Sequence, residues 1–475
     1  MSAITAISAK GKAIALDEQA INNFRDEFKG ELVFEDHPRY EKSRLIWNGM
    51  IDTRPCVIAH CQDADDVVVA VNFARDNDLK FSIRSGGHHV AGKSLCDNGL
   101  VIDLGAMNKV TVNADKQIAI VQGGAKLIDV DTETAKYGLV APLGVVSDTG
   151  VAGLTLHGGY GWHTRKHGLS LDNIISVDIV TADGKLRKAS ENENPDLFWA
   201  IRGGGGNFGV VTSFEFQLYP INKKVWLMLT FYPVETARNG LRTFREFMAT
   251  APDELSSIAL LWNAPPEEFI PENYRGKPVF IIAGVYAGSP EEGEKVTAPL
   301  QQIDRPVANI SCPMPFADIQ RFLDVNFPNG RHYYWKSAYL NELSDDVIDV
   351  LIAKAADRPS QLSSIDVWAL GGKTNRINPE RTAFYQRQAP FMVGMEANWD
   401  DPEDRELNID WTRDLYARLV KKADIGQYLN FPGFGEEGGE LLKKAYGPNF
   451  NRLKQVKAKY DPENFFQGIM SLNGK

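Results

Sequence analysis

Residues Arg84-Ser85-Gly86-Gly87-His88-His89 and the stretch after Gly144, GVVSDTGVAGLTLHGGYGW, constrain this chain more than any other feature. Glycine has no Cβ and free access to positive φ, so a glycine-dense loop lets a backbone pass very close to something. Here that happens twice within one small region, and a third run, Gly203–Gly209, follows. Together the three loops would turn backbone N–H groups towards a pyrophosphate or a flat ring system. Taken singly, each could be an ordinary turn between strands.

A dinucleotide fingerprint of the doubly wound kind does not fit. It should join the first strand to the first helix, whereas Gly203–Gly209 lies near position 200 and leads into a strand. A metal reading of His157, His163 and His167 also loses, because no HExxH or cysteine cluster accompanies the i, i+4 pair.

At 475 residues the chain exceeds one ordinary core, so two domains are expected. The formal charge of −10 argues against nucleic acid or an anionic membrane as partner. No apolar run approaches the roughly 20 residues of a membrane span. The start, MSAITAISAKGKAIAL, lacks the pattern of a secretory signal, and Cys56, Cys61, Cys96 and Cys312 are too scattered for a disulfide framework. A cytoplasmic address is the expectation.

The patterning predicts strands at 56–61, 80–84, 100–104, 174–181 and 210–218, a hairpin over 109–122, and helices after Asp63 and over 126–137. This is α+β with mixed pairing. After Pro220 aromatic residues become denser; strands over 224–232, 278–286 and 364–370 and helices near 236–250 and 345–356 suggest a second domain. A late helix is expected over Glu437–Tyr446.

The segments RSGGHHVAG, GVVSDTGVAGLTLHGGYGW and NPDLFWAIRGGGGNFGVVTSFEF resemble the PCMH-type FAD-binding domain of the vanillyl-alcohol-oxidase superfamily. GQYLNF and AYGPNFNRLKQVKAKYDPENFF are similar to the C-terminal motif of its berberine-bridge-enzyme-like oxidoreductases. The resemblance implies an FAD domain over 1–220, a substrate domain of antiparallel sheet and helices over 221–426, and a segment 427–475 that returns to the FAD domain.

It also implies the site residues. His88 matches the histidine that bonds covalently to the flavin, and His89 a supporting or phosphate-contact position. Arg84, Ser85, Gly86, Gly87, Ser147, Gly150, Gly153, Gly158, Gly161, Asn207, Gly209, Val211 and Asn430 complete the expected cofactor set. Many relatives add a cysteine bond from a Gly-x-Cys-x-x-x-Gly segment; here Val146 holds that position, so a single bond through His88 and a narrower pocket for a smaller substrate are expected. His157 stands where relatives usually carry glycine, and can either touch the cofactor or point away.

Tyr428 matches the tyrosine on the substrate side. A phenol with an ordinary pKa of about 10 is a poor base at neutral pH, so it needs a cation nearby, and Lys336 is the candidate. Trp335, Trp368 and Tyr385 could stack on a ring, and Asp366 and Glu396 could make polar contacts. The implied function is an FAD-dependent oxidase acting on an alcohol (sugar or aromatic) or amine, with O2 as acceptor. A dehydrogenase with another acceptor, favoured by the polar Thr149 beside Gly150, and a non-catalytic flavin- or sugar-binding protein are the alternatives.

Overall fold

The computed structural model describes residues 4–421, 426–433, 439–467 and 472. Two sheets of four and five strands, with two smaller two-stranded pairings, lie before residue 221. The first takes β1 (Glu31–Phe34), β2 (Val57–His60), β3 (Phe81–Arg84) and β4 (Leu100–Asp103) in the order β1-β2-β4-β3. β2 and β3 both run parallel to β4, while β1 is antiparallel to β2. Helix α1 (Ala64–Asp76) buries Val67, Ala70, Val71 and Ala74 against Val57, Ala59, Leu100 and Ile102. Asp63 starts it, accepting from the Asp66 N–H at 3.1 Å, a cap of about 1 kcal/mol.

The second sheet is antiparallel: β5 (Val110–Asn113), β6 (Ile118–Gln122), β7 (Ile174–Val180), β8 (Leu186–Ser190) and β9 (Val210–Gln217), ordered β8-β7-β9-β6-β5. Ser85–His89 leaves the end of β3, and Gly203–Gly209 enters β9. Between them helix α2 (Leu127–Ala135) and the short α3 (Val151–Leu156) frame the loop that follows Gly144.

A large antiparallel sheet begins at Val225. Its strands are β10 (Val225–Pro233), β11 (Leu255–Asn263), β12 (Pro278–Tyr286), β13 (Ala308–Asn309), β14 (Cys312–Met314), β15 (His332–Leu340), β16 (Ser364–Ala369) and β17 (Phe391–Trp399). They lie in the order β13-β10-β12-β11-β16-β17-β15, with β14 also on β10. Helices α4 (Ala237–Met248), α5 (Asp345–Ala356) and α6 (Arg405–Val420) cover one face, packing on Tyr334, Ala338, Ile365, Val393 and Met395. Successive side chains alternate between faces, so Trp335, Ser337 and Tyr339 turn the other way, towards the first two sheets.

β11, β17 and α6 were not foreseen in the sequence. β17 is buried on both faces, so FMVGMEANW shows no polar alternation to mark it. The late helix is seen over Gly439–Tyr446; Glu437 and Gly438 lie outside the described residues.

Asn48 ties the two halves together, and the C-terminal segment is fastened back onto the first half. The Asn48 amide donates to Val90 O (2.7 Å) and Tyr333 O (2.9 Å) and accepts from the Tyr333 N–H. Near the C-terminus, helix α7 (Asn449–Tyr460) packs on the helix Pro195–Gly204. From α7 the buried Lys457 ammonium donates to Asn207 O (2.7 Å), the Asp461 carboxylate (2.6 Å) and Phe466 O.

Candidate active site

The glycine loops meet backbone to backbone. A Cβ added to Gly86 would lie 2.5 Å from Gly150 N and Cα, and one added to Gly150 would lie 2.5 Å from Gly86 N. Ser85 Oγ pins the first loop to Gly123 O at 2.7 Å, and Leu127 N–H pins the second through Thr149 O at 3.0 Å. Beside this contact a cavity of about 1200 Å³ opens, larger than an ordinary ligand pocket. It runs from Phe81, Phe465 and Phe466, past Ser85–His89, Gly150, Gly153, Gly209 and Val211, to Asn430 and Tyr428, then out along the large sheet.

The wall suits a flat, phosphate-bearing group. A Cβ on Gly153 or Gly206, both lining the cavity, would meet nothing within 4 Å, so backbone there faces open space. Buried His89 Nε2 has no hydrogen-bond partner among the described residues. Burial pushes the His89 imidazole down to about 3, leaving a neutral ring. His157 also lines the cavity; its Nδ1 lies 3.3 Å from Gly153 O, and burial lowers it to about 4.

The His88 ring is fixed by an aromatic stack and a carboxylate. Its ring stacks on Trp47 (5.0 Å between centroids, 15° between planes), which stacks in turn on Tyr333 at 3.7 Å. His88 Nε2 lies 2.9 Å from Asp148 Oδ2. That carboxylate also accepts from Lys126 Nζ and from Asn329 Nδ2 at 3.2 Å. Burial would raise the Asp148 carboxyl, but the bonds from His88 and Lys126 override it and hold it well below the usual range. Burial lowers His88 against the pull of Asp148. With Nε2–H committed to a carboxylate, Nδ1 keeps the free lone pair. Asp148 was missed as a site residue although it stands inside the quoted motif; its only signal was an acid between Ser147 and Thr149.

On the far side, the Tyr428 oxygen accepts from Asn430 Nδ2 (2.8 Å) and the Gly159 N–H (3.0 Å), and Asn430 also donates to Leu154 O. Burial raises the phenol above its ordinary value despite these donors. Asp366 and Glu396 line the same cavity, wholly buried and hydrogen-bonded to each other. Burial lifts Asp366 to about 7 against bonds from Ser364 and Glu396. Burial and then the Asp366 charge raise Glu396 well above the carboxyl range, so the pair shares a proton. Asp366 Oδ1, Glu396 Oε2 and the Trp368 indole N–H have no partners among the described residues.

Several expected contacts fall elsewhere. Lys336 does not line the cavity: strand parity turns it to the helical face, where its ammonium sits 3.7 Å from the Tyr416 ring centroid. There burial, aided by Arg413, lowers it to about 7. It is Ser337 that meets Tyr428, accepting from its backbone N–H at 3.0 Å. Arg84 is spent on both Asp103 oxygens, at 3.0 and 2.9 Å. Ser147 binds Asp324 through its backbone N–H and Oγ. Gly161 and Gly158 permit tight packing, on Leu143 O and on the Phe384 and Tyr428 rings. Asn207 caps Gly204 O at 2.7 Å. These residues shape the loops without lining the cavity, and Tyr385 packs on Gly447. Trp335, Trp368, Val146 and Thr149 do line it.

Two family models match the chain: an FAD binding domain over residues 55–190, and the berberine and berberine-like segment over residues 427–471. An uncharacterised FAD-linked oxidoreductase of Bacillus subtilis (strain 168), YgaK, is 33% identical over 455 residues, covering 94% of this chain and 98% of the relative. The (R)-6-hydroxynicotine oxidase of Paenarthrobacter nicotinovorans is 31% identical over 453 residues, covering 92% and 95%. The crystal structure of 6-hydroxy-D-nicotine oxidase from Arthrobacter nicotinovorans superposes with a TM-score of 0.83 at 28% identity, over 94% of this chain and 98% of that one. The glycine cradle, the His88 pocket and these matches along almost the whole chain agree: the protein belongs to the berberine-bridge-enzyme-like FAD-linked oxidoreductases.

Proposed function

We propose that the protein is an oxidase that removes hydride from a C–H beside a hydroxyl or amine nitrogen, with FAD held by one covalent bond from His88 Nδ1. The observation that carries this reading is the single cavity lined by both His88 and the buried Asp366–Glu396 pair. Bound FAD supplies the two-electron acceptor, and its reoxidation by O2 yields H2O2.

The chain's residues supply the rest. Gly86, Gly87, Gly150 and Gly153 form the cradle wall, and His89 offers a neutral ring nitrogen. With its phenol raised by burial, Tyr428 keeps its proton at neutral pH, and Asn430 and Gly159 fix the O–H that orients the substrate heteroatom. The proton leaving the substrate's O–H or N–H goes to the Asp366–Glu396 pair, whose lower member titrates near the working pH. This replaces the phenolate base and Lys336 cation read from the sequence. Thr149 on the cavity wall favours the second reading, a dehydrogenase using another acceptor.

Acid precipitation of the holoenzyme tests the attachment. A yellow pellet that turns colourless in His88→Ala is expected; flavin released into the supernatant of the wild type would overturn the covalent bond. Screening alcohols and amines with paired peroxide and dye-reduction assays tests the reaction. Peroxide release supports the oxidase, and dye reduction without peroxide transfers the assignment to the dehydrogenase.

A further inference from the structure

Beyond Asp366 the cavity follows one face of the large sheet, and strand register determines what that face carries. Leu260 on β11 pairs with Asp366 on β16 on one side and with Ile281 on β12 on the other; Ile281 pairs with Phe231 on β10. The row Phe231–Ile281–Leu260–Asp366 therefore crosses four adjacent strands and lines the cavity throughout. The next row on the same face, Leu229–Ala283–Ile258–Trp368, repeats the pattern. Three strands of hydrocarbon end abruptly in a carboxyl and an indole N–H.

At this seam Asp366 is followed across the sheet by Gly394, which has no side chain to fill the space. A Cβ there would lie 3.4 Å from Glu396 Oε1, 3.6 Å from Asp366 Cβ and 3.7 Å from Trp368 Nε1, so the polar groups converge on one small vacant volume. Glu267, Asn326, Arg331 and Gln361 also line the cavity, while Asn263 at the end of β11 is occupied: it donates to Gly276 O and accepts from Arg358. Phe322 and Val325 add apolar surface at the cavity's edge, where they are 36% and 78% exposed.

We infer that the substrate is an amphipathic molecule, a single hydroxyl or amine head on an extended apolar body, and not an oligosaccharide. The inference rests on the oxidoreductase reading and names the substrate class for that site. The head fits the point where Asp366, Glu396 and Trp368 meet, and the body lies over the rows. Strands are 4.7–4.9 Å apart, so three spacings give that body about 14 Å of apolar floor. A sugar ring laid there would bury hydroxyls against side chains that cannot pair them.

Titrating the holoenzyme with n-alkanols and n-alkylamines, lengthened one methylene at a time, and following the visible flavin absorbance, tests the class. Each added CH2 should tighten binding about fourfold, from 0.8 kcal/mol per buried methylene, until the chain outgrows the floor. Leu260→Asn should flatten that slope. Binding independent of chain length, or tighter binding of cello-oligosaccharides than of the alkyl series, would overturn the inference. A clear slope with neither peroxide nor dye reduction sinks the oxidoreductase reading alone. Sugar turnover without a slope sinks only the substrate class.

Discussion

The two ends of the cavity are built from different materials. The cofactor end is a wall of backbone: Gly86 against Gly150, with open space over Gly153 and Gly206. The substrate end is a wall of side chains standing on strands whose own backbones are tied up in the ladder. A backbone wall accepts no side chain at its contact points, so its shape is fixed for every protein that uses it. A side-chain wall can be rewritten residue by residue without moving a strand. One fold can thus keep its cofactor and change its substrate.

The largest expected effect breaks the first wall. In Gly86→Val the new Cβ overlaps Gly150 backbone, which cannot rotate away as a side chain would. The expected result is purified protein with essentially no bound flavin, and a loss of about 3 kcal/mol or more in stability. Gly394→Ala is the counterpart on the second wall: its Cβ would sit 3.4 Å from Glu396 Oε1. It should keep a full complement of flavin while kcat/KM changes among substrates. Flavin-to-protein ratios of the two variants check the contrast, and equal flavin loss in both would erase it.

Next in size is Asp366→Asn. Removing a positioned base typically slows turnover by about 10²–10⁴, and the limb of the pH–rate profile near pH 7 should disappear with it. A profile that keeps this limb would assign the proton acceptor to another group.

The smallest effect is on stability, and the two ends should respond to pH in opposite senses. His157, lowered to about 4 in the fold, contributes stability that is present above its unfolded value near 6.5 and lost as pH falls towards 4. Asp366, raised to about 7, contributes stability present below its unfolded value near 4 and lost as pH rises through 7. The His157 swing is on the order of 3 kcal/mol. Melting temperatures from pH 4 to 8 should show His157→Asn removing a rise between about pH 4 and 6.5, and Asp366→Asn removing an opposing fall between about pH 4 and 7. If both variants shift the curve in the same sense, the opposition is not there.

This difference in material also decides what could be read in advance. Close backbone approach demands glycine, so Gly86, Gly87, Gly150 and Gly153 were visible in the sequence, and His88 followed from the motif around them. Asp148 was not, because an acid in a loop declares no partner until folding brings it to His88. At the substrate end Asp366 and Glu396 could be picked out as polar residues, but their pairing needs the registers Asp366↔Gly394 and Ser364↔Glu396. Lys336 went astray for a related reason. Strand parity separates Tyr334 and Lys336 from Trp335 and Ser337, yet both sets are aromatic and polar together, so composition could not say which face met the cavity. The apolar rows were hidden further, since β11 itself was not foreseen.

Lys457 fastens a loop to a segment some 250 residues further along the chain. Its ammonium ties Asn207 O, at the mouth of the third glycine loop, to Asp461 and Phe466 O near the end of the chain. A nascent chain that has already made every glycine of the cradle still lacks the group that fastens the last of them. A chain cut short before α7 leaves this loop without its Lys457 contact.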